Sequence, residues 1–281
     1  MSNHSAYRTF VDRLSKTKDS VREKSTKKRK SLGLRTAREN LDDLVDPGSF
    51  LEFGAFAVAA QRNRRDYEEL QLETSADGIL TGFCNINEDE VGEDNSHAAA
   101  IIYDYSVLAG SQGFFHHQKL DRICEKAEEF SLPVVIFTEG GGGRPGDTDV
   151  TTQIAGLHIP SFSTWARLTG KCLKIAVNNG YCFAGNAVLF GCSDFMIATK
   201  QSWIGMAGPA MIEGGGLGVY DPKEIGPAEE QYKNGVLDYL AEDEKDATFI
   251  AKKLLSYFQG NLSDWSIAVS YTHLRAHETH P

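Results

Sequence analysis

The feature that most constrains this chain is an alternation that begins at Asp77. Short apolar runs, at Ile79–Cys84, Ala98–Tyr103, Val134–Phe137, Ile175–Val177 and Phe195–Ala198, are separated by helical or glycine-rich stretches. Runs this short and uniformly apolar suit strands buried on both faces. Strands that alternate with helices suit a mostly parallel sheet in an α/β domain. Between the second and third runs, Leu120, Ile123, Ala127 and Phe130 recur at three- and four-residue steps, the spacing of one helix face. A last helix is expected over Glu244–Phe258, with Ala247, Ile250, Ala251, Leu254, Leu255 and Phe258 turned inward and Gly260 as its cap. With 281 residues, 41% of them hydrophobic, a sizeable core is possible and global disorder is excluded.

Upstream of the alternation, Ala37, Leu41, Leu44 and Val45 share one helical face until Asp46-Pro47-Gly48 ends the pattern. Residues 61–75 are polar and are expected to form a surface connection. Residues 1–35 read as a basic leader with little packing. Residues 1–38 carry 12 Lys and Arg against 3 Asp and Glu, a net +9, whereas the rest carries 17 against 36, a net −19. A basic arm on an acidic body suits a phosphate-bearing ligand or an acidic partner, or simply a solvated helix. Nucleic acid fits poorly, because the arm has few aromatics to stack on bases. No run reaches the roughly 18–20 apolar residues of a membrane span. The N-terminus has no apolar signal core. The five cysteines form no C-x-x-C pair. These features together point to a reducing cytoplasm.

Residues 261–281 lose the helical period. The string Ser270–Pro281 resembles translated adapter sequence, so 261–281 reads as a non-native tail and the natural protein is expected to continue past Gly260. His273, His277 and His280 lie in this tail and carry no metal assignment.

Three glycine-rich stretches hold the chemistry. Thr138–Asp147, reading TEGGGGRPGD, follows an apolar run. Its glycines permit a tight turn that brings N–H groups near a ligand, or else a mobile surface loop. It contains neither G-x-x-x-x-G-K-[ST] nor G-x-G-x-x-G, so the nucleotide motifs are absent. Asn178–Ala187, reading NNGYCFAGNA, also follows an apolar run and leads into a small-residue helix over Ala187–Gly191. Two such turns from neighbouring strands can aim two backbone N–H groups at one oxygen, although a glycine needed for close helix packing would look the same. Gly205–Gly218 contains too much glycine for a regular element and reads as a long loop beside the site. G-x-S-x-G is absent, and His116-His117 suits helix capping or a surface position better than catalysis. The best chemistry therefore rests on backbone amides.

The order of segments resembles the carboxyltransferase subunits of biotin-dependent acyl-CoA carboxylases, members of the crotonase superfamily. The resemblance runs from about Thr36 to Gly260. It rests on Ala37-Arg38-Glu39 through Asp46-Pro47-Gly48-Ser49-Phe50, on Asp77-Gly78-Ile79-Leu80-Thr81-Gly82, on Tyr105–Ser111 and on the acidic Ala241–Ala247. It implies a crotonase-like α/β fold of ββα repeats with a helical N-terminal extension. By position, Gly142 and Gly143 stand for the family's G-A and Gly185 and Asn186 for its G-G. The family's amides at these turns hold the thioester oxygen of an acyl-CoA as it becomes an enolate. Arg38, Gly110, Ser111, Gly141, Arg144 and Ala184 fall at positions expected to contact the CoA ester, with Arg38 near its phosphates.

The sequence departs from the family pattern at Arg144-Pro145-Gly146-Asp147, where R-[IM]-Q-E-G is common, and at Asn186, where the second glycine is common. The resemblance further implies carboxybiotin as the carboxyl source, carried on another domain or chain and made by a biotin carboxylase component. It also implies a homo-oligomer, a second carboxyltransferase half, and no metal. Two other readings stay open. One is a crotonase-like hydratase or isomerase with Glu139 or Asp147 as acid/base. The other is a half that binds CoA esters without turnover.

Overall fold

The computed structural model describes residues 2–150 and 159–260. The tail 261–281, with its three histidines, lies outside the described residues. In chain order the principal elements are α1 (Ser2–Ser15), α2 (Glu23–Ser31), α3 (Ala37–Leu44), β1 (Leu51–Phe53), α4 (Tyr67–Glu73), β2 (Ile79–Asn85), α5 (Glu88–Val91), α6 (Glu93–Ser96), β3 (His97–Tyr103), α7 (Phe114–Phe130) and β4 (Val134–Phe137). They continue with α8 (Ser161–Arg167), β5 (Lys174–Asn178), β6 (Tyr181–Phe183), α9 (Gly185–Gly191), β7 (Phe195–Thr199), β8 (Trp203–Gly205), α10 (Pro209–Gly214), α11 (Ala228–Lys233), β9 (Tyr239–Ala241) and α12 (Glu244–Ser256).

Seven strands form one sheet in the order β1-β2-β3-β4-β5-β7-β9. The first three pair antiparallel, and every pair from β3 onward is parallel. β6 and β8 pair in a second, parallel sheet. The chain thus runs twice from a strand of the large sheet to a strand of the small one and then into helix: β5, β6, α9 and then β7, β8, α10 and α11. This is the expected ββα repeat.

Alternation along the strands divides the core in two. Ile79, Ile101, Val134, Ile136, Ala176 and Ala198 face one side, where they meet Leu120, Ile123 and Ala127 of α7, Trp165 of α8 and Leu189 of α9. Leu80, Ile102, Val135, Phe137, Val177 and Ile197 face the other and meet Leu41 and Leu44 of α3 and Ala247, Ala251 and Leu255 of α12. α3 starts at a capping box in which Thr36 accepts from the Glu39 amide and Glu39 accepts from the Thr36 amide. Asp243 caps α12.

Three expectations need correction. The leader is not loosely packed: Arg22, Thr26 and Arg29 are at most 7% exposed. The reason is electrostatic, because the leader's arginines meet acidic groups at the ends of core strands. His116 and His117 are buried rather than surface or capping residues, at the start of α7. Gly205–Gly218 is not wholly irregular, since Gly205 ends β8 and Pro209 at its favoured first-turn position opens α10.

Candidate functional site

The parallel strands β3, β4 and β5 run in one direction, so the residues after their carboxyl ends gather on one edge of the sheet, the usual location of a site in such folds. There the two predicted glycine turns meet. Gly140 bridges to Cys182: its amide donates to Tyr181 O (2.7 Å) and its carbonyl accepts from the Phe183 amide (3.0 Å). Asn186 pins this junction and is fully buried. Its Nδ2 donates to Thr138 O (2.9 Å) and to Gly110 O (3.5 Å), and its Oδ1 accepts from the Gly142 amide (3.0 Å). Residue 140 must be glycine here, because a β-carbon would lie 2.3 Å from Asn186 Nδ2. The second turn is strained, with Ala184 at φ 51° and ψ −121°, a region that L residues rarely adopt.

The hydrogen bonds then decide which amides can act. Gly140 donates to Tyr181 O, Gly141 to Ala109 O (3.1 Å), Gly142 to Asn186 Oδ1 and Arg144 to Gln112 O (3.0 Å). Of residues 140–144, only Gly143 has no partner for its amide among the described residues. The Gly142 carbonyl accepts from the Gln112 amide (2.8 Å). In a planar trans peptide the Gly143 N–H therefore points to the side opposite Gln112. A β-carbon at Gly143 would meet nothing within 4 Å among the described residues. In the neighbouring turn the Ala184 carbonyl accepts from Val188, which turns the Gly185 N–H away from the body of α9.

The structure therefore brings Gly142, Gly143, Gly185 and Asn186 together but divides their roles. Gly143 and Gly185 offer amides, while Gly142 and Asn186 bond each other. Gly110, Gly141 and Ala184 form the backbone of the seam. Arg38 and Arg144 have their guanidinium groups committed within the chain. Arg38 forms a two-pronged pair with Glu52 (3.1 and 3.2 Å) and donates to Thr17 O. Arg144, with a side chain only 3% exposed, pairs with Asp77 and donates to the carbonyl of Ser111 (2.7 Å) and to its hydroxyl (3.2 Å). Ser111 is thereby a partner of Arg144.

A cavity of about 510 Å³ opens beside the seam. Ala109, Glu139 and Gly180 belong to the seam's turns and line it; Gly142, Gly143 and Gly185 lie outside its wall. Its other walls carry Tyr105, Tyr181, Trp203, Leu32 and Leu34, and Lys24 and Lys28 of α2 are also in the lining. Arg29 closes one side with a two-pronged pair to Glu139 (3.1 and 2.8 Å) and a 3.6 Å contact to Glu244. Burial pushes the Glu139 carboxyl up to about 7; the carboxylates of Glu244 and Asp104 add to this and Arg29 opposes it. Burial also works to raise Asp104, but Arg22 (2.9 Å) and Ser106 hold it below the usual range. Asp147 accepts from Gln61 Nε2 (3.1 Å) and the Phe114 amide (2.8 Å). Neither carboxylate offered for acid/base work is thus free of an internal partner. No group of three or more metal-ligating side chains occurs among the described residues, and no helix there is long and apolar enough to cross a membrane.

Sequence reasoning missed Gln112, Arg29 and the bonding role of Asn186. Arg22, Thr26 and Arg29 recur at helical spacing, a signal in the leader that could have been used. Gln112 leaves no such signal.

Comparison with known proteins places the chain among related sequences and structures. The carboxyl transferase domain model matches residues 28–272, starting inside α2 and ending in the segment read as tail. The methylmalonyl-CoA carboxyltransferase 12S subunit of Propionibacterium freudenreichii subsp. shermanii is 32% identical over 241 residues, 85% of this chain and 43% of that protein. The biotin-dependent long chain acyl-coenzyme A carboxylase beta4 subunit of Mycobacterium tuberculosis is 29% identical, over 90% of this chain and 45% of its own. Among solved structures, a single-chain, multi-domain long-chain acyl-CoA carboxylase superposes with a TM-score of 0.87 at 50% identity, covering 93% of this chain and 26% of that one. The transcarboxylase 12S hexamer with methylmalonyl-CoA bound gives 0.74 at 28% identity, over 92% and 48%. The chain spans less than half the length of each relative. With a family model that covers most of its length, the chain belongs to the carboxyl transferase domain family.

Proposed function

We propose that this chain is the acyl-CoA half of a biotin-dependent carboxyltransferase, one that moves a carboxyl group between carboxybiotin and the α-carbon of an acyl-CoA. The observation that carries the reading is that, among the described residues, Gly143 alone of residues 140–144 has an unpartnered amide, on a turn adjoining the equally unpartnered amide of Gly185. Two free backbone donors on adjoining turns suit a thioester oxygen that gains charge as an enolate forms. Carboxybiotin, a second substrate brought by a carrier, supplies the carboxyl group and a ureido anion able to take the α-proton. That division of labour agrees with a site whose buried carboxylates are held in ion pairs. The chain's own residues position the ester and stabilise charge on its oxygen.

The cavity beside the seam suits the CoA portion of the ester. Aromatic and aliphatic walls suit its base and its chain, and Lys24 and Lys28 suit its phosphates. This assigns to α2 the role that sequence reasoning gave Arg38. A carrier protein, a biotin carboxylase, a second carboxyltransferase half and an oligomer complete the proposed machine, and the hexamer of the transcarboxylase relative supports the last.

The test is calorimetric titration with an acyl-CoA and with free CoA, on the wild type, Gly143→Ala and Gly143→Pro. Alanine keeps the amide and adds a methyl to open space; proline removes the donor. Loss of one such donor costs roughly 10²–10³ in rate when the charge is fully developed. In ground-state binding the expected result is weaker ester binding for proline alone, with free CoA unchanged. Equal affinity of all three for the ester would overturn the reading. Hydration of crotonyl-CoA without biotin would favour a hydratase instead.

A further inference from the structure

Ala76, Asp77 and Gly78 all have positive φ, at 55°, 50° and 75°, a run of three left-handed residues of which two carry side chains. Such a run is unfavourable without support. The support is dense. Lys119 Nζ donates to the carbonyls of Ala76 and Ile79. The His116 amide donates to Asp77 Oδ2 (2.7 Å), and the Asp77 amide donates to Thr74 O (3.0 Å) and Ala57 O (3.2 Å). Asp77 is fully buried, and its remaining oxygen, Oδ1, takes Arg144.

Arg144 directly follows Gly143, the residue that offers the free amide. The left-handed turn therefore presents an anchored carboxylate to the guanidinium next to the proposed oxyanion donor. Ser111 holds the same guanidinium from its hydroxyl and carbonyl, while residue 112 bonds the backbone on both sides of Gly143. Nothing in this arrangement leaves Arg144 available to a phosphate.

We propose that Asp77 and Arg144 are positioning residues, a buried clamp that fixes the direction of the Gly143 N–H. The inference rests on the reading of Gly143 as the thioester-oxygen donor. It assigns Arg144 to the chain's own framework instead of to the CoA ester, and it gives the strained turn a role. In this role the clamp acts through Gly143 and does not touch substrate.

The experiment uses the whole chain labelled with ¹⁵N-glycine, with the Gly143 amide resonance assigned by its loss in Gly143→Ala. Asp77→Asn keeps the shape of the side chain and removes its charge; Arg144→Lys keeps charge and loses the fork. Both are checked for native circular dichroism. The expected result is that each variant displaces the Gly143 resonance more than those of remote glycines such as Gly33, Gly170 and Gly235. Affinity for free CoA is expected to stay within about twofold, with at least fivefold weaker ester binding. A folded variant with an unmoved Gly143 resonance would sink the clamp. A parallel loss of free CoA affinity would sink it too, by making Arg144 a ligand contact. The underlying reading is judged separately. If the Gly143 resonance of the wild type does not respond to an acyl-CoA, the donor assignment falls while the clamp is still decided by the two variants. Should Asp77→Asn fail to fold, Arg144→Lys and Ser111→Ala carry the same comparison.

Discussion

Replacing Arg29 by methionine tests whether the basic leader is part of the folded body. Methionine keeps much of the aliphatic stem and removes the guanidinium. Glu139 and Glu244 would then face each other without a cation, in a place where Arg29 and Glu139 side chains are 7% and 5% exposed. Arg29 also donates to the Arg35 carbonyl (2.6 Å) and lies over the Tyr105 ring. Breaking a buried pair by removing one partner costs about 3–5 kcal/mol, because the other charge stays behind. The cost depends on pH. Glu139 titrates near 7 even with Arg29 beside it, and removing Arg29 takes away the main group opposing burial. A neutral Glu139 needs no counter-charge, so the penalty shrinks as acid is added.

Urea unfolding followed by circular dichroism, at about pH 8 and about pH 5.5, measures this for the wild type, Arg29→Met, Glu139→Gln and the double variant. The expected result is a loss of roughly 3–5 kcal/mol for Arg29→Met at the higher pH, a smaller loss at the lower, and a double variant less damaged than the sum. A loss below about 0.5 kcal/mol, the size of an ordinary surface change, would refute the reasoning and return α2 to the status of a solvated appendage.

Other expectations concern the same neighbourhood. Glu139 has a folded-state value raised from 4.5 to about 7, so the native state binds the extra proton between these values. Its contribution to stability is present below about 4.5 and is lost as pH rises through about 7; the wild type should therefore lose stability over that window relative to Glu139→Gln, and a flat difference would contradict it. Asn186→Ala leaves the Gly142 amide and two carbonyls without their partner, and a thermal melt should register on the order of 1–3 kcal/mol for each buried group left unpaired. Ala184→Gly removes strain of about 1–3 kcal/mol and should raise the melting temperature unless the added unfolded-state freedom cancels it. Met206, Met211, Leu217 and Val219 are all more than half exposed in one glycine-rich segment, so the isolated chain should self-associate in sedimentation and bind an apolar dye; a dye-silent monomer would count against this.

Five of the seven large-sheet strands were legible because a buried strand declares itself locally. All five apolar runs became strands, with bounds that moved by a residue or less. The missed strands, β1, β6, β8 and β9, are three residues each, too short to show a period. The helix of Leu120 was found, but its start at Phe114 was not, since Phe114–Lys119 is ordered by contacts to Asp147 and to the Asp77 turn and not by an apolar stripe.

For the site, the sequence by itself pointed to the two turns that meet, because a glycine cluster directly after a buried strand permits tight turns closed to other residues, and it pointed to the family through the order of its segments. Which amide is left unpartnered among the described residues was decided only by the tertiary structure. Gly142 and Gly143 are neighbours of identical composition. What separates them is Asn186, 44 residues away, which takes one amide and leaves the other. The same holds for Arg29, whose carboxylate lies 110 residues on, and for Arg144, 67 residues from Asp77. Hydrogen bonds and ion pairs between segments this distant leave no period in the chain, since their formation depends on strands and helices having already brought the partners within about 3 Å of each other.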